Sequence, residues 1–216
     1  MDFIGNKKPL EEFIKSNKED IKFKKIKFED IIFSAFVHLK CMNCGMYKRN
    51  YHCLATPRWK KSKENLSKYN NYYLVYIQFD NKPRIKDYFK KREVFRAQGS
   101  KGMNDWLIYR NACGANQAII VSKLRKFLIN VKTHYSKEKL KLFGAGGGCR
   151  GCRVCGLVKP QMIKEPREPC KKPNKTFGAP ESIGIDVYAT LKRNKIEYDV
   201  IPKNKLITVG LICQKQ

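Results

Sequence analysis

The chain has 216 residues, 42% of them apolar and 12% aromatic, with 46 Lys and Arg against 19 Asp and Glu. That length and apolar content suit one folded domain, or one domain with a small appendage, and exclude a disordered chain. No stretch approaches the roughly eighteen consecutive apolar residues of a membrane span, and the N-terminus, MDFIGNKKPLEEFIKSNKED, lacks the apolar core of a secretory signal. Nine cysteines without such a signal point to a reducing, cytoplasmic setting and to metal ligation over disulfides. The net charge of +27 suits a nucleic-acid partner, or else a solvated lysine surface or an acidic protein partner.

Residues 1–18 read as a short helix, with Pro9 near its start and Leu10, Phe13 and Ile14 at helical spacing. Ile21, Phe23, Ile26 and Phe28 then alternate with lysines, as in an exposed edge strand or arm. On this reading residues 1–28 are an N-terminal helix and basic arm, and 29–216 are a cysteine-rich metal-binding domain. The apolar run 29–39, EDIIFSAFVHL, reads as a buried strand. It delivers the chain to an early cysteine group, Cys41, Cys44 and Cys53, set among turn residues Gly45 and Asn50. A lone Cys-x2-Cys is a structural knuckle or a redox pair. The third cysteine in a turn-rich loop shifts the reading to metal. His52, Cys113 or Cys170 could supply a fourth ligand, or an iron could stay open; His52 reads more readily as a loop or packing residue.

Residues 59–68 are lysine-rich and compatible with a helix. Residues 72–79, YYLVYIQF, read as a strand rich in β-branched and aromatic side chains. Residues 80–103, with Pro83 and Gly99, read as a polar basic connection. The long helix spans 105–134, with Trp106, Tyr109, Ala112, Ala115, Ile119, Leu124, Phe127, Leu128 and Val131 near helical period. Cys113 within it reads as a small buried residue. Residues 139–143 form a strand that enters the late cysteine segment.

That segment, GAGGGCRGCRVCGLVKPQMIKEPREPC, places Cys149, Cys152 and Cys155 at Cys-x2-Cys-x2-Cys spacing, with Cys170 fifteen residues on. Two intervening residues let successive thiolates reach adjacent corners of a [4Fe–4S] cube, and a more distant cysteine closes the fourth corner or serves a second cluster. Structural zinc competes, but zinc ribbons usually pair two separate Cys-x2-Cys knuckles. Between Cys149 and Lys175 eight Lys and Arg face Glu165 and Glu168, a basic shell suited to a negatively charged cluster. The glycines before Cys149 could also be read as a phosphate loop, but no Gly-Lys-Ser/Thr follows. Beyond it, residues 183–195 suit an amphipathic helix, capped by Ser182 or Thr176, with Pro180 early in it. Asp186 reads as a residue that satisfies loop N–H groups rather than one that does chemistry. Residues 205–213 close the fold as a strand, with Cys213 packed as a small hydrophobe.

CMNCGMYKRNYHCLATP, GGCRGCRVC, PCKKP and GIDVYAT occur in that order. Over roughly residues 30–213 the chain thereby resembles a family of predicted metal-binding, cysteine-rich proteins of methanogenic archaea and anaerobic bacteria. Members carry a CxxCxxYGxxxxCPP-like segment early and GxCxxCxxC, PCxxP and GIDVxAT late. Cys149, Cys152, Cys155, Cys170, Pro173, Gly184, Ile185 and Asp186 match together, whereas Leu54-Ala55-Thr56-Pro57 replaces the usual Pro-Pro after Cys53. The resemblance implies iron–sulfur or other metal binding and no particular reaction.

Strands and helices alternate, so the expected fold is a two-layer α+β domain. It has a sheet of about four strands, helices packed on one face and cysteine loops at strand ends. An open α/β sheet with helices on both faces is the runner-up. The expected cofactor is one or two [4Fe–4S] clusters, with zinc as the alternative, held by Cys149, Cys152, Cys155, Cys170, Cys41, Cys44 and Cys53. The expected partner is a redox protein or a larger enzyme complex, with nucleic acid the alternative.

Overall fold

The computed structural model describes residues 8–16, 20–42, 59–97, 105–144, 172, 175–200 and 202–215; inside helices, the side chains of 59, 84, 95, 96, 105–113 and 115 are outside the description. Within them lie six α-helices and one open four-stranded antiparallel sheet, an α+β fold. The helices are α1 (Leu10–Lys15), α2 (Phe36–Met42), α3 (Trp59–Leu66), α4 (Lys82–Ala97), α5 (Asp105–His134) and α6 (Val187–Arg193). The strands are β1 (Lys22–Ile26), β2 (Asn71–Asp80), β3 (Lys139–Phe143) and β4 (Lys205–Lys215), in the order β1-β2-β4-β3. The central pair, β2 and β4, runs in register from Asn71 opposite Gln214 to Asp80 opposite Lys205. Lysines punctuate both edges, Lys22, Lys24 and Lys25 on β1 and Lys139 and Lys141 on β3, which discourages edge-to-edge pairing.

Side chains alternate across the pleat, so each strand serves two cores. Tyr73, Val75, Ile77, Leu206, Ile212 and Leu142 face one way and pack with Leu10 and Ile14 of α1 and with Ile120, Leu124, Phe127, Leu128 and Val131 of α5. Tyr72, Leu74, Val209, Leu211, Cys213 and Phe143 face the other way, toward Leu66, Ile185, Leu191 and Ile196. Cover therefore lies on both faces of the sheet, not on one. The cause is legible in β2 and β4. Both are nearly continuous apolar runs, as strands buried on two sides must be. Gly210 is needed at the crossing of β4 and β3, because a Cβ there would lie 2.8 Å from the Phe143 carbonyl oxygen.

Several elements form where the sequence places them: α1 behind Pro9, β1 as an edge strand, α3, β2, α5 over its full length, β3 and β4. Three do not. Residues 29–39 are not a strand. Phe28–Asp30 is a 3-10 turn, Phe33 makes a single antiparallel bridge to Ile185, and the chain then enters α2. Only Ile31 and Val37 are buried, while Phe36 and Leu39 stand exposed, so the run lacks the two-sided burial a core strand requires. The span 80–103 is not a connection, because α4 occupies most of it. Its start is well made. Asp80 Oδ1 accepts from the Lys82 N–H at 3.0 Å, and Pro83 sits in the first turn, where the missing N–H costs nothing. Finally, neither Ser182 nor Thr176 caps a helix over 183–195. Pro180–Ile183 is a 3-10 turn, Gly184 turns left-handed at φ 87°, and α6 begins under an Asp186 cap. No helix among the described residues is long and apolar enough to cross a membrane.

Candidate metal centre

The early cysteine group begins on α2. That helix starts where Ser34 Oγ accepts from the Phe36 N–H at 3.2 Å. The chain just before it is pinned to the far end of the sequence. Ser34 N–H donates to the Gly184 carbonyl at 2.9 Å, and Asp186 N–H donates to the Ile32 carbonyl at 2.8 Å. Ile32 N–H also donates to Thr190 Oγ1 at 3.0 Å. The GIDVYAT stretch, Gly184 to Thr190, is thus a clamp on residues 32–34. It sets α2 against the Pro180–Ile183 turn, and Cys41 Sγ comes 4.0 Å from the Glu181 carbonyl oxygen. Cys41 is half-buried and not in a disulfide.

The late group is rooted at the same corner. β3 delivers the chain to Gly144, whose N–H donates to the Gly178 carbonyl at 2.9 Å. The chain between them, which carries Cys149, Cys152, Cys155 and Cys170, therefore leaves and returns through one point. The returning strand is held again where Arg125 Nε of α5 donates to the Lys175 carbonyl at 3.2 Å. Three residues separate Gly178 from Glu181, a span of at most about 11 Å. Cys41 and the base of the late cysteine segment are consequently near neighbours, although about a hundred residues apart in sequence. Cys44, Cys53, Cys149, Cys152, Cys155 and Cys170 themselves lie outside the described residues, as does His52. Among the described residues no three His, Cys, Asp or Glu converge on a point.

The electrostatics of this corner centre on a residue the sequence reading passed over. Glu181 Oε2 is shut off from solvent and has no hydrogen-bond partner. Burial pushes the Glu181 carboxyl above the usual carboxylate range. Its own backbone N–H opposes that, neighbouring Asp186 adds to it, and Lys40 opposes it. Asp186 does the local work expected of it. Its Oδ1 accepts from the Ala189 N–H at 3.1 Å as the α6 cap, and Lys40 Nζ lies 3.7 Å from Oδ2. Tyr188, on α6, is also pushed up, by burial first and then by Glu181 and Tyr198; it stacks on Tyr198 at 5.0 Å. The one sequence signal for Glu181 is its position three residues before Gly184 in the matching motif.

Two cysteines can be placed apart from this corner. Cys213 is fully buried between Tyr72 and the α6 side of the sheet, and burial pushes its thiol far up, which removes it as a ligand. Cys113 lies in α5, which packs on the opposite sheet face from the turn that touches Cys41. Its side chain is outside the described residues. A half-buried thiol beside a buried carboxylate oxygen without a donor suits a thiophilic cation, so the described part of the site fits a metal centre.

No curated protein and no solved structure matches the chain. A family model described as a predicted metal-binding protein family (DUF2284) matches residues 24–213, from β1 to β4 and across both cysteine segments. The chain therefore belongs to this family of predicted metal-binding proteins.

Proposed function

We propose that the protein is an iron–sulfur protein with [4Fe–4S] clusters, acting in redox or metal-centre chemistry. Cys149, Cys152, Cys155 and Cys170 would hold the late cluster, and Cys41, Cys44 and Cys53 the early one. The observation that carries the reading is the shared root of the two cysteine segments. Gly144 is tied to Gly178, and Cys41 lies against Glu181 three residues further on. When bound, such a cluster supplies one-electron redox chemistry, or a Lewis-acidic iron where one corner lacks a thiolate. The chain's own contribution is to hold thiolates at one corner, beneath a clamp of backbone hydrogen bonds between residues 32–34 and 184–186. Arg150, Arg153 and their neighbours would offset the negative charge there. Phe36, Leu39 and Met42 stand exposed on the helix that bears Cys41, which supports a redox partner protein or a larger enzyme complex docking beside it.

Anaerobic purification with iron and sulfide counts, and absorption and EPR spectra with and without reductant, test this. About four or eight irons per chain, with matching sulfide, is the expected result. Cys152→Ala should remove the late cluster. Stoichiometric zinc without iron would replace the reading with a structural zinc protein. The net charge of +27 favours a second reading, a nucleic-acid-binding protein with structural metal. Retention of tRNA or DNA that falls steeply with salt while the clusters stay redox-silent would favour it.

A further inference from the structure

Glu181 presents a problem that the polypeptide alone does not solve. A carboxylate accepts hydrogen bonds at both oxygens, and a buried acceptor without a donor costs about 1–3 kcal/mol, more when charged. Oε2 of Glu181 has none. The nearby cation, Lys40, is directed to Asp186 and stands largely in solvent. Proteins retain such an arrangement where a group from outside the chain completes it. The neighbour that identifies the group is Cys41, whose sulfur sits against the main chain of Glu181. A thiolate and a carboxylate side by side are soft and hard donors on one face. Zinc and iron both accept that pair, and magnesium and calcium do not favour it.

We propose that the Glu181 carboxylate ligates the same thiophilic metal, iron or zinc, as Cys41. The inference rests on the reading of Cys41 as a metal ligand and adds an oxygen donor to it. The 3-10 turn supplies the geometry. Pro180 begins it and Gly184, at φ 87°, ends it, and the clamp of 32–34 on 184–186 holds it against α2. The carboxylate is a harder and weaker partner for such a metal than a thiolate, so an incoming thiolate or sulfide would displace it first. The metal would then be closed at rest and accessible to a soft ligand.

The test uses the full chain purified without oxygen, as parent, Cys41→Ser, Glu181→Gln and Glu181→Asp. Metal per chain, the rate of metal loss to a chelator, and the low-temperature EPR spectrum are measured for each. Glu181→Gln is expected to lose the same share of metal as Cys41→Ser. Glu181→Asp keeps the charge but withdraws the oxygen, and should release metal about tenfold faster or more, by analogy with weakened ligand shells. Metal-free Glu181→Gln should melt at or above the temperature of the metal-free parent. Parental metal content, release rate and spectrum in both Glu181 variants, with metal lost from Cys41→Ser, would overturn the inference and leave Cys41 a ligand. A metal-free Glu181→Gln that melts well below the parent would assign Glu181 a structural role and overturn it too. Full metal content in Cys41→Ser would remove Cys41 as a ligand and the inference with it.

Discussion

Two of the nine cysteines are described in full side-chain detail, and their surroundings separate two chemistries. Cys213 is buried beneath Tyr72 in an apolar core, and its thiol is pushed far above the ordinary range by burial. The same neighbourhood acts on Tyr72, whose phenol rises to about 12 through burial first and Cys213 second. Cys41 is half-buried at a helix end beside a main-chain carbonyl. Thiol alkylation follows thiolate fraction and access. In metal-free, reduced, folded protein, a short pulse of iodoacetamide should therefore label Cys41 and spare Cys213, which should react only after denaturation. Peptide mass spectrometry reads this directly, and equal labelling of the two would mean that the second core opens readily. Cys213→Ser should destabilise the fold by about 1–3 kcal/mol, because it puts a hydroxyl where no donor or acceptor is offered.

At the scale of elements, backbone conformation makes opposite predictions at two positions. Lys195 follows α6 at φ 54°, a left-handed conformation that costs a side-chain-bearing residue roughly 1 kcal/mol. The hydrogen bonds around it are those of a helix stop. Lys195 N–H donates to Lys192 and Ile196 N–H to Leu191, both at 3.0 Å. Lys195→Gly should therefore stabilise the protein by up to about 1 kcal/mol in denaturant unfolding. Gly210→Ala should do the reverse by about 1–3 kcal/mol, since its Cβ would meet the Phe143 carbonyl at 2.8 Å and Val75 at 3.2 Å. Unchanged unfolding midpoints in both would mean that β3 and the α6 stop shift freely. The same scale shows what sequence can disclose. α5 was legible because Leu124, Phe127, Leu128 and Val131 repeat at helical period over many turns. β2 and β4 were legible because apolar runs of that length suit strands covered on two faces. Residues 29–39 misled for the related reason that a short apolar run has no period to read. α4 was hidden behind Pro83 and its charges, although proline in a first turn is harmless. At the candidate site, cysteine spacing was legible and Glu181 was not. Its unmet oxygen arises only when α2 is set on the 180–183 turn, by contacts between residues some 140 positions apart in sequence.

For the molecule as a whole, the question is whether metal holds up the fold or the fold holds the metal. Small structural zinc domains unfold without their ion, because binding free energy is their folding free energy. This chain is built differently. Its two cores, one between the sheet and α1 with α5, the other between the sheet and Ile185, Leu191 and Ile196, contain none of the seven proposed ligands. The one cysteine in them, Cys213, is excluded as a ligand by its burial. A chain of 216 residues can also bury enough apolar surface to fold without a metal staple. Metal binding should then stabilise the corner near Cys41 and Gly178 far more than the sheet. Native-state hydrogen exchange can separate the two, because local openings exchange independently of global unfolding. After removal of metal under reducing conditions, the β2 and β4 amides should keep their protection to within about tenfold. The amides of Ser34, Gly144 and Asp186, which donate to Gly184, Gly178 and Ile32, should exchange much faster than in the loaded protein. If β2 and β4 lose protection together with those three amides, the metal is part of the global folding unit, and the sheet is not the independent scaffold that its two cores imply.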